Sequence, residues 1–152
     1  MDRKFIEKFN ASLPRLGYGC MRFPTKDGKI DFEYSKKLIH YAYDNGINYF
    51  DTAYNYHGEE SEMFLGKVLT EFDRESYFLT SKLPVWKVKE EGDAEKLFEE
   101  QLKKCNTEYF DFYLLHSLNK KSIQRVEKFN LYDFILKKKN EGKIKNIGFS
   151  FH

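Results

Sequence analysis

The stretch GINYFDTAYNYHGEESE, residues 46–62, decides how the rest of the chain is read. Ile47 to Phe50 is a continuous apolar, β-prone run introduced by Asn45-Gly46, the pattern of a parallel strand covered on both faces. Asp51 interrupts the run at its C-terminal end, and α/β folds place their chemistry just past the ends of parallel strands. Tyr56 follows in the loop. The acidic residues Glu59, Glu60 and Glu62 then open a helix with apolar positions at Phe64, Leu65, Val68, Leu69 and Phe72.

Outward from this stretch, strand and helix patterns alternate. Leu13 to Phe23 reads as a strand, closed by Pro24 and a Lys26-Asp27-Gly28-Lys29 turn. Its Gly17 and Gly19 invite a dinucleotide-fold reading, but Arg22 stands where a third glycine belongs and no helix start follows, so close packing is the better account. Asp31 is positioned to cap a helix through Tyr34, Leu38, Tyr41 and Ala42 that stops at Asn45-Gly46. Tyr77 to Leu79 is the next strand, ended by Thr80, Ser81 and Lys82. After Pro84 and Trp86, Asp93 can cap a helix through Leu97, Phe98, Leu102 and Cys105. Phe110 to Leu115 is a fourth strand, ended by His116. One helix is expected through Val126 and Leu131–Leu136 to Gly142, then a fifth strand from Ile144 to Phe149, ended by Ser150. This alternation predicts a single α/β domain over residues 1–152 with parallel strands.

The strand-end residues Asp51, Lys82, His116 and Ser150 are separated by 31, 34 and 34 residues, each one βα unit. All four should emerge on one side of the sheet, and around one mouth if the sheet rolls into a barrel. Asp51, Tyr56, Lys82 and His116 together suit protonation of a carbonyl oxygen while a hydride reaches its carbon. A free tyrosine, with a pKa of about 10, holds its proton at neutral pH. An adjacent Lys82 would help it release that proton, Asp51 would keep Lys82 charged, and His116 could donate a hydrogen bond to the carbonyl oxygen. Singly, each residue has a plainer reading: a turn cap for Asp51, packing for Tyr56, solvation or structural satisfaction for Lys82 and His116. A metal site built from His57, Glu59, Glu60, Glu62 and His116 is the rival use of the stretch. No metal-binding spacing supports it, and the glutamates read as first-turn residues favoured by the helix dipole. No metal is therefore expected. Ser150 as a nucleophile lacks a G-x-S-x-G elbow.

Composition narrows the partners. The net charge is +2, with basic and acidic residues interspersed, so neither nucleic acid nor an anionic membrane is favoured. The aromatic content of 18% sits largely in the apolar runs and reads as core. Cys20 and Cys105 stand far apart, without C-x-x-C spacing. The N-terminal MDRKFIEKFN has no apolar signal-peptide core, and no stretch is long enough to span a bilayer, so a cytoplasmic location is expected and the Asn10-Ala11-Ser12 sequon carries no meaning.

The segments LGYGCMRFP, NYFDTAYNYHGEESE, TSKLP, QLKKCNTEYFDFYLLH and GKIKNIGFSFH, in this order along the chain, resemble the aldo-keto reductase family. The resemblance implies an (β/α) eight-stranded barrel that reduces aldehydes and ketones with NADPH or NADH. It assigns Asp51, Tyr56, Lys82 and His116 as the catalytic tetrad, with Tyr56 as general acid. Ser150 matches a serine used near the nicotinamide carboxamide, so Asp51 and Ser150 are the implied cofactor contacts, although Phe151 and His152 depart from the family wording after the serine. The MRFP and GFSFH segments look most like a prokaryotic branch whose full-length members often carry a C-terminal iron–sulfur ferredoxin-like segment. A complete barrel takes about 250 residues. The expectation is thus a partial TIM-type barrel, four βα units and a fifth strand, truncated after its first half. Its open edges call for self-association or the missing C-terminal half. The alternative to a carbonyl reductase is a non-catalytic remnant or interaction module that keeps the half-barrel.

Overall fold

The computed structural model describes residues 2–152, which hold nine strands and five α-helices. Five strands form one parallel sheet in chain order: β3 (Tyr18–Gly19), β6 (Tyr49–Asp51), β7 (Phe78–Leu83), β8 (Phe110–Leu118) and β9 (Ile144–Phe151). Strand order equal to chain order, with helices between, is the arrangement of consecutive barrel staves. The intervening helices are α1 (Phe32–Asp44), α2 (Ser61–Val68), α3 (Asp93–Lys104), α4 (Lys120–Lys128) and α5 (Leu131–Asn140). The expected α/β partial barrel is therefore the observed fold.

Three joints that return the chain from helix to strand are built alike. At the end of α1 the Ile47 N–H donates to the Ala42 carbonyl at 2.9 Å and the Gly46 N–H to Tyr43 at 2.9 Å, with Gly46 at φ +87°. This is a Schellman motif, and glycine adopts its left-handed turn without steric cost. Asn106 and Gly142 close α3 and α5 with the same pair of bonds. At the other end of α1 the Asp31 carboxylate accepts from the Tyr34 N–H, as its cap position suggests.

Four readings need correction. Leu13–Phe23 is not one strand. Ala11–Pro14 (β2) instead pairs antiparallel with Arg3–Ile6 (β1) in a hairpin, and only Tyr18–Gly19 joins the parallel sheet. A smaller hairpin, β4 (Thr25–Lys26) with β5 (Lys29–Ile30), turns at Asp27-Gly28, both at positive φ as a tight turn demands. The expected fourth helix is two, because Asn130 takes a left-handed conformation at φ +50° between α4 and α5. Asp93 is the first residue of α3, not its cap. Its carboxylate accepts from the Lys89 and Glu90 N–H groups and closes the preceding loop. Finally, β7, β8 and β9 run past the expected ends, so Lys82, His116 and Ser150 lie within strands.

Strand periodicity sorts the two faces of the sheet. Helices cover one face, where Phe98 packs edge-on to Tyr113 at 5.0 Å and where Leu131 and Ile135 are fully buried. On the other face Tyr49, Phe78 and Phe112 form an aromatic layer, and Phe9, just after β1, covers Phe112 edge-on at 5.2 Å. Counting in twos from this layer leads to Asp51, to Thr80 and Lys82, and to Leu114 and His116. Asn146 pairs with Phe112 and Gly148 with Leu114, which places Ser150 on the same face. At the end of the sheet β9 pairs, among the described residues, with β8 alone, and Phe149 and Phe151 are exposed.

Candidate active site

Lys82 is the centre of the site. Its side chain is almost wholly buried, and its ammonium donates to Asp51 Oδ1 at 2.6 Å, the Thr52 carbonyl at 2.7 Å and the Tyr56 hydroxyl oxygen at 3.2 Å. An ammonium has three protons, so all three are engaged. Because Lys82 donates to the Tyr56 oxygen, the phenolic proton is left free to donate elsewhere. The Asp51 side chain is 34% exposed, so its pairing with Lys82 is partly screened by water.

The loop carrying Tyr56 is held on three sides. Ser61 N–H donates back to the Tyr56 carbonyl at 3.2 Å, and His57, Gly58 and Glu59 all take positive φ to make this tight return. His57 Nε2 accepts from the Phe23 N–H at 2.8 Å, which requires a neutral ring, and burial lowers the His57 pKa accordingly. Glu59 pairs with Lys87 at 2.6 Å, tying the loop to the segment after β7.

His116 lies across from Tyr56, with ring centroids 6.1 Å apart and planes nearly perpendicular, and 5.1 Å from the Trp86 ring. Burial first, then the Lys82 and His152 charges, push its pKa down to about 4. The imidazole is therefore neutral at pH 7, with one N–H to donate, and its Nδ1 is buried with no hydrogen-bond partner among the described residues. Since the folded-state pKa lies below the unfolded value, the stability His116 contributes is present above about pH 6.5 and is lost as pH falls toward 4. An NMR titration of the His116 ring protons is expected to show a midpoint near 4; a midpoint near 6.5 would contradict the buried, cation-flanked setting.

Ser150 shares the face of the tetrad, but its hydroxyl oxygen accepts from the Ser117 N–H at 2.8 Å, where β8 bulges and Ser117 takes φ +55°. Among the described residues it makes no hydrogen bond to Asp51, Tyr56, Lys82 or His116. The rival metal ligands are dispersed: His57 is on the Phe23 amide, Glu59 on Lys87, and Glu60 near the Ile30 amide. Among the described residues no three His, Cys, Asp or Glu side chains are grouped to hold a metal ion. Glu62 is not an exposed first-turn residue. It is fully buried behind β7, where its carboxylate accepts from Ser81 Oγ at 2.6 Å and Gln101 Nε2 at 2.5 Å. Sequence reading missed this cluster and the Thr52 carbonyl. No described helix is long and apolar enough to cross a membrane.

Comparison with known proteins bears on the family and the fold. "Probable aldo-keto reductase 1" of Glycine max is 30% identical over 147 residues, covering 91% of this chain and 41% of that protein. The 4-dihydromethyl-trisporate dehydrogenase of Mucor mucedo is 34% identical over 120 residues, covering 76% of this chain and 34% of its own length. The chain thus spans less than half the length of these curated relatives. A solved aldo/keto reductase from Brucella melitensis superposes with a TM-score of 0.71 at 26% identity, over 99% of this chain and 54% of that one. One from Klebsiella pneumoniae, solved in complex with NADPH, has the same fold, with a TM-score of 0.73 at 24% identity over 100% of this chain and 51% of that one. With the sequence profile of the aldo/keto reductase family matching residues 15–152, nearly the whole of the described fold, this chain belongs to that family.

Proposed function

We propose that this chain carries the proton-donating site of an NADPH- or NADH-dependent reduction of an aldehyde or ketone to an alcohol. The observation that carries the reading is the Lys82 ammonium, saturated by Asp51, Thr52 and Tyr56, which leaves the phenolic proton of Tyr56 free. The nicotinamide cofactor supplies the hydride when bound. Asp51 and Ser150 are the residues present on this face that would hold its nicotinamide end, and a family relative is known with NADPH bound. Tyr56 gives its proton to the carbonyl oxygen as the carbon is reduced. Lys82, 3.2 Å from that phenol, stabilises the negative charge left on it. The neutral His116 ring orients the carbonyl oxygen through its one N–H, and Trp86 beside it forms a wall for the substrate.

The alternative, a non-catalytic interaction module, would use the sheet edge at β9, which among the described residues pairs with β8 alone and exposes Phe149 and Phe151. Fluorescence titration with NADPH, followed by an aldehyde-reduction assay, separates the two. Saturable NADPH binding with turnover supports the reductase reading. Neither at high protein concentration, together with concentration-dependent association in sedimentation velocity, would favour the interaction module.

A further inference from the structure

The first two residues of α2 reach inward instead of facing solvent. Ser61 and Glu62 are both fully buried. Ser61 Oγ donates to the Cys20 carbonyl at 2.9 Å and lies 2.9 Å from Thr52 Oγ1. Glu62 Oε1 accepts from Ser81 and Gln101, and the same Gln101 amide group lies 3.1 Å from the carbonyl oxygen of Lys82. Turning Gln101 round would set its Oε1 against the Lys82 carbonyl oxygen, an acceptor facing an acceptor, so its amide N–H groups point to Lys82 and Glu62 while its Oε1 accepts from the Tyr113 hydroxyl at 2.6 Å. Consecutive side chains of one helix turn therefore hold the Thr52 and Lys82 residues from behind the sheet. These are the two residues whose relative position aims the ammonium in front.

We infer that Glu62 is a positioning residue: through Gln101 and Ser81 it fixes the Lys82 peptide, and so sets where the ammonium sits between Asp51, Thr52 and Tyr56. Its second oxygen, Oε2, is buried with no partner among the described residues, so the carboxyl is poised to carry a proton there. Burial raises its pKa to about 7, against the lowering effect of the Ser81 and Gln101 hydrogen bonds. The charged and titratable groups facing it are Lys104 and Glu100 on α3, Cys105 at the end of that helix, and Tyr113 on β8; β7 presents only the Ser81 hydroxyl. An ionised Glu62 grips both donors more strongly than a protonated one. The brace therefore tightens as pH rises through 7. Only the consequence for turnover rests on the proposed reductase activity; the coupling to Lys82 does not.

The test reads the Lys82 side chain itself. The 13Cε and 15Nζ resonances of Lys82, assigned by their loss in Lys82→Met, are followed with pH in the wild-type chain, Glu62→Gln and Glu62→Leu, with circular dichroism confirming that each is folded. In the wild type they are expected to shift through an inflection near pH 7 that is absent from Glu62→Gln, which keeps the shape of the brace without its titration. Glu62→Leu, if folded, is expected to split or broaden the resonances and to cost about 10²-fold in kcat with KM little changed. A Lys82 resonance that keeps the inflection in Glu62→Gln, or shows none in the wild type, overturns the inference. An aldehyde-reduction assay with NADPH runs in parallel. No turnover in a wild-type chain whose Lys82 shows the inflection refutes the reductase reading alone, and turnover without the inflection refutes the positioning role alone.

Discussion

Tyr56→Phe is expected to lower carbonyl reduction by a factor of about 10²–10⁴, the range contributed by a positioned general acid, while leaving NADPH affinity nearly unchanged. The substitution removes one oxygen and keeps the ring. The edge-on contact with His116 and the packing of the ring under Lys82, whose ammonium lies 4.8 Å from its centroid, are retained. Lys82 still has Asp51 and the Thr52 carbonyl, so the site does not collapse. Only the proton donor is gone. Steady-state kinetics with an aldehyde, alongside NADPH fluorescence titration of both proteins, check this. Turnover equal to wild type would remove Tyr56 as the acid.

Lys82→Met is expected to reduce turnover by about 10²–10³, the usual effect of deleting a donor that stabilises charge developing in the transition state. The volume is nearly kept, but the Asp51 carboxylate and the buried Thr52 carbonyl lose their cation, and the Tyr56 oxygen loses the hydrogen bond that would stabilise its phenolate. Breaking a fully buried pair costs about 3–5 kcal/mol. Here Asp51 remains 34% exposed and can be solvated, so urea denaturation should show a loss of about 1–3 kcal/mol. Lys82→Arg is not expected to restore turnover. Three acceptors converge on a single nitrogen, and a planar guanidinium spreads its donors over a fork. Full rescue by arginine would mean that charge alone, and not the three-way geometry, is what the site requires.

Much of this was legible in the sequence, and each part that was not has a physical reason. The intervals separating Asp51, Lys82, His116 and Ser150 place them on successive staves because a βα unit has a nearly fixed length. Asn45-Gly46 and Gly142 marked helix ends because a left-handed residue there is a local requirement. Asn130 carried the same signal in weaker form and was overlooked, which merged α4 with α5. The N-terminal hairpin was hidden because the four-residue β1 is mostly charged or exposed and owes its pairing to β2. Glu62 was misread for a different reason. An acidic residue in a helix's first turn has a sufficient local explanation in the dipole, whereas its actual partners lie 19 and 39 residues away, on β7 and α3. The Thr52 contribution is a backbone carbonyl, which no residue type announces.

The proposed reduction requires a carbonyl oxygen seated between the phenolic proton of Tyr56 and the imidazole of His116. A crystal structure of the chain with NADP+ and a carbonyl substrate analogue tests it most directly. The analogue's oxygen is expected within hydrogen-bond reach, about 2.6–3.2 Å, of both the Tyr56 hydroxyl and a His116 nitrogen, with Lys82 still on Tyr56. An analogue bound with its oxygen away from both groups, or a Lys82 ammonium swung off the phenol in the complex, would contradict it.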